Sequence, residues 1–366
     1  MHAPASISPV PDPATPPDVI ADNAAAIDRV GADAAREIAA LCEARWLAAC
    51  LPRGTVTGAS GWGSEPEGRA PALTALRALG RANLSVARLF EGHMNAVELV
   101  MRLGNDDTRG AMTDIVRGGG LSGVWGADEP GNPVRIEGDA LQGAKMFASG
   151  LGLVDHAVVL ADSEAGKQLV LVDTSDPARG DASGWNVAGM RATRSGRYDF
   201  SGLTRFTAVG APDAYFVEPR FEGGIWRYCA AHLGGAEALY LAMRDMLTQS
   251  GRAEDPHQQR RIAEAAVAIE TGRLWVERAS TAVEAHDALP EAATLSLMAR
   301  EAVVAACRTV LHTSDEALGT RAYLQGTLVE RVRRDLSFWL CQAVPDAKRA
   351  RIASAMIGRA TLPETL

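Results

Sequence analysis

No uninterrupted apolar run in this sequence approaches the length of a membrane span, so no membrane-spanning helix is expected. Cysteine is scarce. Cys42, Cys50, Cys229, Cys307 and Cys341 are odd in number, scattered and free of CxxC spacing. That pattern argues against a disulfide framework or a bound metal, and for buried thiols in a reducing compartment. HExxH is missing, and Ser149 lacks the flanking glycines of a nucleophile elbow. The glycines of GASGWGSEPEG (58–68) follow no clear strand and open no clear helix, which excludes a dinucleotide fingerprint. Basic residues are also in deficit, 37 Lys and Arg against 45 Asp and Glu, for a net charge of −8. A broad basic surface for nucleic acid is therefore not expected, although a local basic pocket for an anionic ligand is compatible with that balance. The opening MHAPASISPVPDPATPPD has neither a charged n-region nor an apolar h-region. It reads as a proline-rich disordered tail and not as a signal peptide, and a cytoplasmic location is expected.

What is there is ordinary globular material. The 366 residues are 47% hydrophobic, enough for two or three domains with sizeable cores. After the tail (1–17), Ile20, Ile27, Val30, Ile38, Leu41 and Trp46 make an apolar stripe of helical spacing. The helical pattern resumes over residues 71–104 after a Gly- and Pro-rich loop. Near Gly118–Gly120 the texture changes to short β-rich runs such as HAVVLAD and KQLVLVD, which continue to about residue 220 and suggest a small sandwich or barrel. From Glu222 the pattern is helical again, with four long helices in series that argue for an antiparallel bundle. The expected fold is α+β and multidomain: an N-terminal α-helical domain (18–120), a middle β-barrel or sandwich domain (121–220) and a C-terminal four-helix bundle (221–366).

GAKMFASG (143–150) poses the first chemical question, because it sets an aromatic, a hydroxyl and a glycine in order at a strand end. Taken with GRANLSVARLFEGHMNA (80–96), GMRATRSGRYDFSGL (189–203) and LGTRAYLQGTLVERVRRD (318–335), it resembles the acyl-CoA dehydrogenase superfamily of flavoproteins, over residues 20–345. The superfamily includes flavin-dependent monooxygenases of the same fold. The resemblance implies that Phe147 packs on the flavin ring and that the Ser149 hydroxyl bonds its edge. A flat cofactor needs an apolar face and a few placed donors. In GVWGADEP (123–130) an aspartate, Asp128, stands where the family carries a hydroxyl. An ionised carboxylate beside an electron-rich ring is unfavourable. Either Trp125 or Ala127 then lies nearer the ring or the contact is lost, and Trp125 is taken as the flavin neighbour.

Gly319 and Tyr323 match the glycine-rich turn and aromatic near the dinucleotide end. The family's Arg-x-x-Phe-Gly is absent from LTQSGRAEDPHQQRR (247–261), where Arg252 and Gln259 are the available substitutes. FAD is the implied cofactor, ahead of FMN, and a homo-oligomer, dimer or tetramer, is implied by the family's use of the bundle domain as a subunit contact. The implied activity is α,β-desaturation of an acyl thioester, with an acyl-CoA as the implied small-molecule partner. That reaction requires a carboxylate base. The family's two positions for it hold Ala343 and Trp226. Glu91 and Glu222 are the nearest acids, with plainer readings as a solvated side chain and a helix N-terminal acid. His93 and Arg227 are the candidate residues of the substrate pocket, and the catalytic residue is left unassigned. The missing base opens two alternatives: a flavin-dependent monooxygenase of the same fold, which needs no such base, and a non-catalytic partner subunit of a heteromeric dehydrogenase.

Overall fold

The computed structural model describes residues 10–342 and 344–357. Most of the proline-rich tail (1–9), and Ala343, lie outside the described residues. The first part of the chain forms α1 (Val19–Asp22), α2 (Ala35–Glu43), α3 (Trp46–Ala49), α4 (Arg69–Ala82), α5 (Leu84–Leu103) and α6 (Asp106–Arg117). The apolar stripe over 20–46 is thus cut into short helices by turns, although Ile20, Leu41 and Trp46 are buried as the spacing predicts.

Strands follow: β1 (Leu121–Trp125), β2 (Arg135–Glu137), β3 (Ala140–Gln142), β4 (Ala144–Ala148), β5 (Val154–Ser163), β6 (Gly166–Asp173), β7 (Gly180–Asp181), β8 (Gly196–Asp199) and β9 (Phe206–Val209). They make two sheets. One runs β3-β2-β5-β6-β9, with β1 added parallel to β5. The other runs β4-β8-β7. Between Lys145 and Ala148 the β4–β8 register slips, so β4 carries a bulge at Phe147. The last part is helical: α7 (Trp226–Gln249), α8 (Pro256–Val283), α9 (Ala292–Leu318), α10 (Leu328–Trp339) and α11 (Pro345–Met356). Asp255 caps α8 through the His257 and Gln258 N–H groups, with Pro256 at the first helical position where its missing N–H costs nothing.

Two relationships fix the N-terminal helices against α7, the helix that carries much of the site. A Cβ on Gly80 would meet the Ala231 carbonyl oxygen at 2.2 Å, and one on Gly234 would meet the Arg77 carbonyl oxygen at 2.2 Å. The backbones of α4 and α7 therefore touch, which only glycine permits. Beside that contact Glu237 accepts from Arg77 Nε and Arg81 Nη1, both at 2.9 Å. At the other end, Arg334 on α10 pairs with Asp28, and Asp335 accepts the Met190 N–H at 2.6 Å, which ties α10 to the loop before β8. Burial pushes the Asp335 carboxyl up to about 6, against the opposing Met190 bond.

Candidate active site

A cavity of about 320 Å³ opens where α5, the end of β1 and the start of α7 meet. Asn83 starts α5 by accepting the Ser85 and Val86 N–H groups at 2.9 and 3.3 Å, and so sets its phase. Glu91, Asn95 and Glu98 then fall on one face, at helical spacing, and that face lines the cavity. Val124 and Gly126 close it from β1; Glu222, Arg227, Tyr228 and His232 line it from the α7 side, and Trp339 from α10.

The carboxylates of the cavity are all engaged. Glu91, 3% exposed, pairs with Arg88 and accepts from Asn95 Nδ2 at 2.5 Å. Glu98 accepts from Arg102 Nε at 2.6 Å. Glu222 forms an ion pair with Arg351, Oε1 to Nη1 2.6 Å, and lies 3.9 Å from Lys348 Nζ. Glu91 is therefore not the solvated side chain that the sequence suggests. Glu222 does precede α7, as a helix N-terminal acid would, yet its side chain is buried in the cavity wall.

Arg227 lines the cavity, and its two terminal nitrogens are turned onto the wall. It donates to the Gly63 carbonyl and to Glu284 Oε1, both at 2.9 Å, and reaches Asn95 Oδ1 at 3.4 Å. Trp226, at one of the two base positions, is fully buried and donates its indole N–H to the same Glu284 at 3.0 Å.

His93 is a correction. It is fully buried on the opposite side of α5, where Nε2 donates to the Leu47 carbonyl and Nδ1 accepts the Ser122 N–H, both at 3.1 Å. Burial pushes it down to about 4, and it does not line the cavity. It is a satisfied core histidine that ties α5 to α3 and β1.

Phe147, Ser149 and Trp125 come together beside the end of β1. Phe147 is 64% exposed and sits at the β4 bulge with φ +55°. A bulge that aims an exposed aromatic ring from a left-handed backbone is a costly arrangement, and such outliers gather at functional sites. The Ser149 hydroxyl accepts from Ser195 Oγ at 3.2 Å, which in turn is 3.0 Å from Thr193 Oγ1. Trp125 is 3% exposed, packs on Tyr198 and Phe200, and donates its indole N–H to the Ser149 carbonyl at 3.0 Å. It supports Ser149 from beneath and presents no open face of its own. Asp128 accepts from the buried Lys145 Nζ at 2.6 Å and from the Val134 N–H at 3.1 Å, so its charge is compensated within the β-domain.

Gly319 and Tyr323 lie elsewhere. Gly319 ends α9 with φ +59° and ψ −138°, a conformation that glycine alone adopts readily. Tyr323 is 58% exposed, donates to Asp315 at 3.2 Å and holds the Arg333 guanidinium 4.0 Å from its ring centre. Arg252 and Arg261 converge on the buried Gln258 side-chain oxygen at 2.7 and 3.2 Å once its amide is oriented to accept them.

The residues that the sequence reading missed are His232, Tyr228 and Trp339. His232 is buried, and its ring meets Trp339 edge-on at 4.6 Å between centres. The available signal was the spacing of Tyr228 and His232 on one helix with Arg227. Among the described residues, no group of His, Cys, Asp and Glu side chains is placed to hold a metal ion, and no helix is long and apolar enough to cross a membrane.

Residues 227–340 match the family described as acyl-CoA dehydrogenase, C-terminal domain. Similar solved structures extend the likeness over nearly the whole chain. The dibenzothiophene monooxygenase TdsC from Paenibacillus sp. A11-2 aligns over 94% of this chain and 96% of its own, at 19% identity and a TM-score of 0.77. The methanesulfinate monooxygenase MsuC from Pseudomonas fluorescens covers 94% of this chain and 95% of its own, at 21% identity and a TM-score of 0.77. A nitrososynthase from Micromonospora carbonacea var. africana covers 92% and 93%, at 19% identity and a TM-score of 0.74. The fold is that of the acyl-CoA dehydrogenase superfamily. TdsC has been solved with FMN bound. None of the curated proteins matches by sequence.

Proposed function

We propose that this acyl-CoA dehydrogenase-fold chain is an FMN-dependent monooxygenase acting on a small molecule, which revises both the desaturase and the FAD expectations. The observation that carries the reading is the state of the cavity carboxylates: Glu91, Glu98 and Glu222 are each held in an ion pair. A desaturase needs a carboxylate available to take a proton. An oxygenating flavoenzyme has no such need. The similar monooxygenase structures support the same side of the choice.

The residues present fit a flavin. Phe147 offers an exposed ring for one face, and the Ser149 hydroxyl offers an edge contact held in register by Ser195 and by the Trp125 indole. A bound flavin supplies two-electron chemistry and, when reduced, the activation of dioxygen. What the chain supplies is position and enclosure. The cavity, at the small end of ligand pockets (roughly 300–1,000 Å³), confines a ring-sized substrate next to the end of β1. FMN is favoured over FAD because the similar TdsC was solved with FMN bound and because Arg252 and Arg261, two of the three arginines of residues 247–261, are turned onto Gln258.

The test is the visible spectrum of the protein loaded with FMN or FAD, followed by anaerobic reduction and exposure to air. Retention of FMN over FAD with rapid re-oxidation by oxygen is expected. Reduced flavin that is stable in air, and that an acyl-CoA can generate from the oxidised form, would overturn the monooxygenase reading.

A further inference from the structure

The two fully buried imidazoles on the helices around the cavity, His93 and His232, are treated oppositely by their surroundings. His93 has both nitrogens satisfied by backbone. His232, 2% exposed and lining the cavity, has neither Nδ1 nor Nε2 paired among the described residues. One helical turn back on α7, the Tyr228 hydroxyl also lies buried without a partner in hydrogen-bonding geometry, although the Arg300 guanidinium is near enough to oppose the rise that burial causes in its pKa. The two rings are 5.4 Å apart between centres. A buried polar atom left unpaired costs about 1–3 kcal/mol, and the two residues that carry these atoms both line one cavity, which marks a place built for a partner.

What the partner is follows from the lining. Burial, with Arg300 and Arg88 nearby, pushes His232 down to about 3, so the imidazole is neutral and offers one N–H donor and one lone pair. Tyr228 adds a hydroxyl that donates or accepts. Around them stand Trp339, Tyr215 and Phe221, flat apolar surfaces suited to a ring. The cavity carboxylates are already paired with cations, which leaves little free charge to attract an ionised ligand. We infer that the His232 imidazole and the Tyr228 hydroxyl form the polar anchor of the cavity, holding a neutral aromatic substrate through a single hydroxyl or ring N–H while Trp339 packs against its ring. The inference rests on reading the cavity as the substrate site of the proposed flavoenzyme. It adds the substrate class and names the two residues that select it. Both are positioning residues.

The test compares phenol with toluene, which differ by a hydroxyl in place of a methyl group, by titration calorimetry on the FMN-loaded wild type and on His232→Leu and Tyr228→Phe. The wild type is expected to bind phenol about tenfold tighter than toluene, the scale of one satisfied hydrogen bond to a buried group. His232→Leu should bring that ratio close to one by weakening phenol and sparing toluene. Tyr228→Phe, which removes a single oxygen, should lower it in part, and it carries the test alone if the leucine variant does not fold. Equal binding of the two probes by the wild type, no binding of either, or an undiminished phenol preference in the folded variants overturns the inference. FMN uptake is read separately from the visible spectrum. A chain that takes up no FMN yet still prefers phenol, with the preference lost in the variants, refutes the flavin reading and leaves the anchor standing.

Discussion

The ammonium of Lys145, whose side chain is fully buried, lies 2.6 Å from the Asp128 carboxylate, which is about one-third exposed. The pair is unequal, and that decides what each substitution does. Burial lowers the Lys145 pKa while Asp128 alone among its hydrogen-bonded partners supplies a counter-charge. Asp128→Ala would strand a buried cation and is expected to cost about 3 kcal/mol or more, as breaking a buried pair does. Lys145→Met leaves a carboxylate that water reaches, and should cost clearly less. Urea unfolding of both variants checks the order. An Asp128→Ala loss no larger than that of Lys145→Met would show that the charge is not what holds this end of β4.

The carboxylates of the cavity give the second prediction. If no acid acts as a base, Glu91→Gln and Glu222→Gln should each lower oxygen-dependent turnover by less than about tenfold, through disturbed packing of Arg88 and Arg351. A general base contributes about 10²–10⁴-fold. A loss of that size in either glutamine variant, with the fold intact by circular dichroism, would show that the carboxylate acts as a base despite its ion pair and would remove the observation that carries the monooxygenase reading.

The same residues show what the sequence could and could not reveal. The order of helices, strands and helices was legible because each class has its own hydrophobic period, and Phe147–Ser149 stood out because the run into β5 marks a strand end. His93 was misplaced for a geometric reason. From Leu84 to Val100 α5 is buried on nearly every side, so no polar face tells which residues look into the cavity. Two residues along a helix rotate by about 200°. Glu91 therefore faces the cavity while His93 faces Leu47 and Ser122. Glu91 carried a charge that argued for solvent, and the Arg88 and Asn95 groups that compensate it are visible only once the helix is built. His232 was hidden differently: nothing in a sequence distinguishes a buried histidine with partners from one without.

Phe147 sets stability against function. With φ +55° a non-glycine residue bears strain of about 1–2 kcal/mol, and with 64% of its surface exposed the ring gains little from burial. Phe147→Gly should therefore unfold at the same or a higher temperature than the wild type while FMN affinity falls at least tenfold. Thermal melts of the FMN-free protein and an FMN titration read the two effects apart. A variant that loses stability and keeps FMN affinity would mean that the ring is a packing element and not a cofactor contact.

His93 makes an acid-sensitive contribution whose sign can be worked out. Its folded pKa is held near 4 by burial, below the 6.5 of an ordinary histidine. The unfolded chain takes up the proton first, so the contribution of His93 is fully present above pH 6.5. It is lost as pH falls from 6.5 to about 4, at up to about 1.4 kcal/mol per pH unit. His232, held near 3, adds a term of the same sign, and Asp335, raised to about 6, adds one of opposite sign over part of that range. Both cancel in a difference between wild type and a variant at position 93. His93→Asn removes the titration and keeps an acceptor for the Ser122 N–H, but it gives up the bond to Leu47. Urea unfolding at pH 7, 6 and 5 should show a wild-type advantage that is largest at pH 7 and shrinks with acidification. An advantage that holds constant or grows as pH falls would mean that His93 is charged in the folded protein, and that the neutral, backbone-satisfied imidazole is the wrong description of this helix contact.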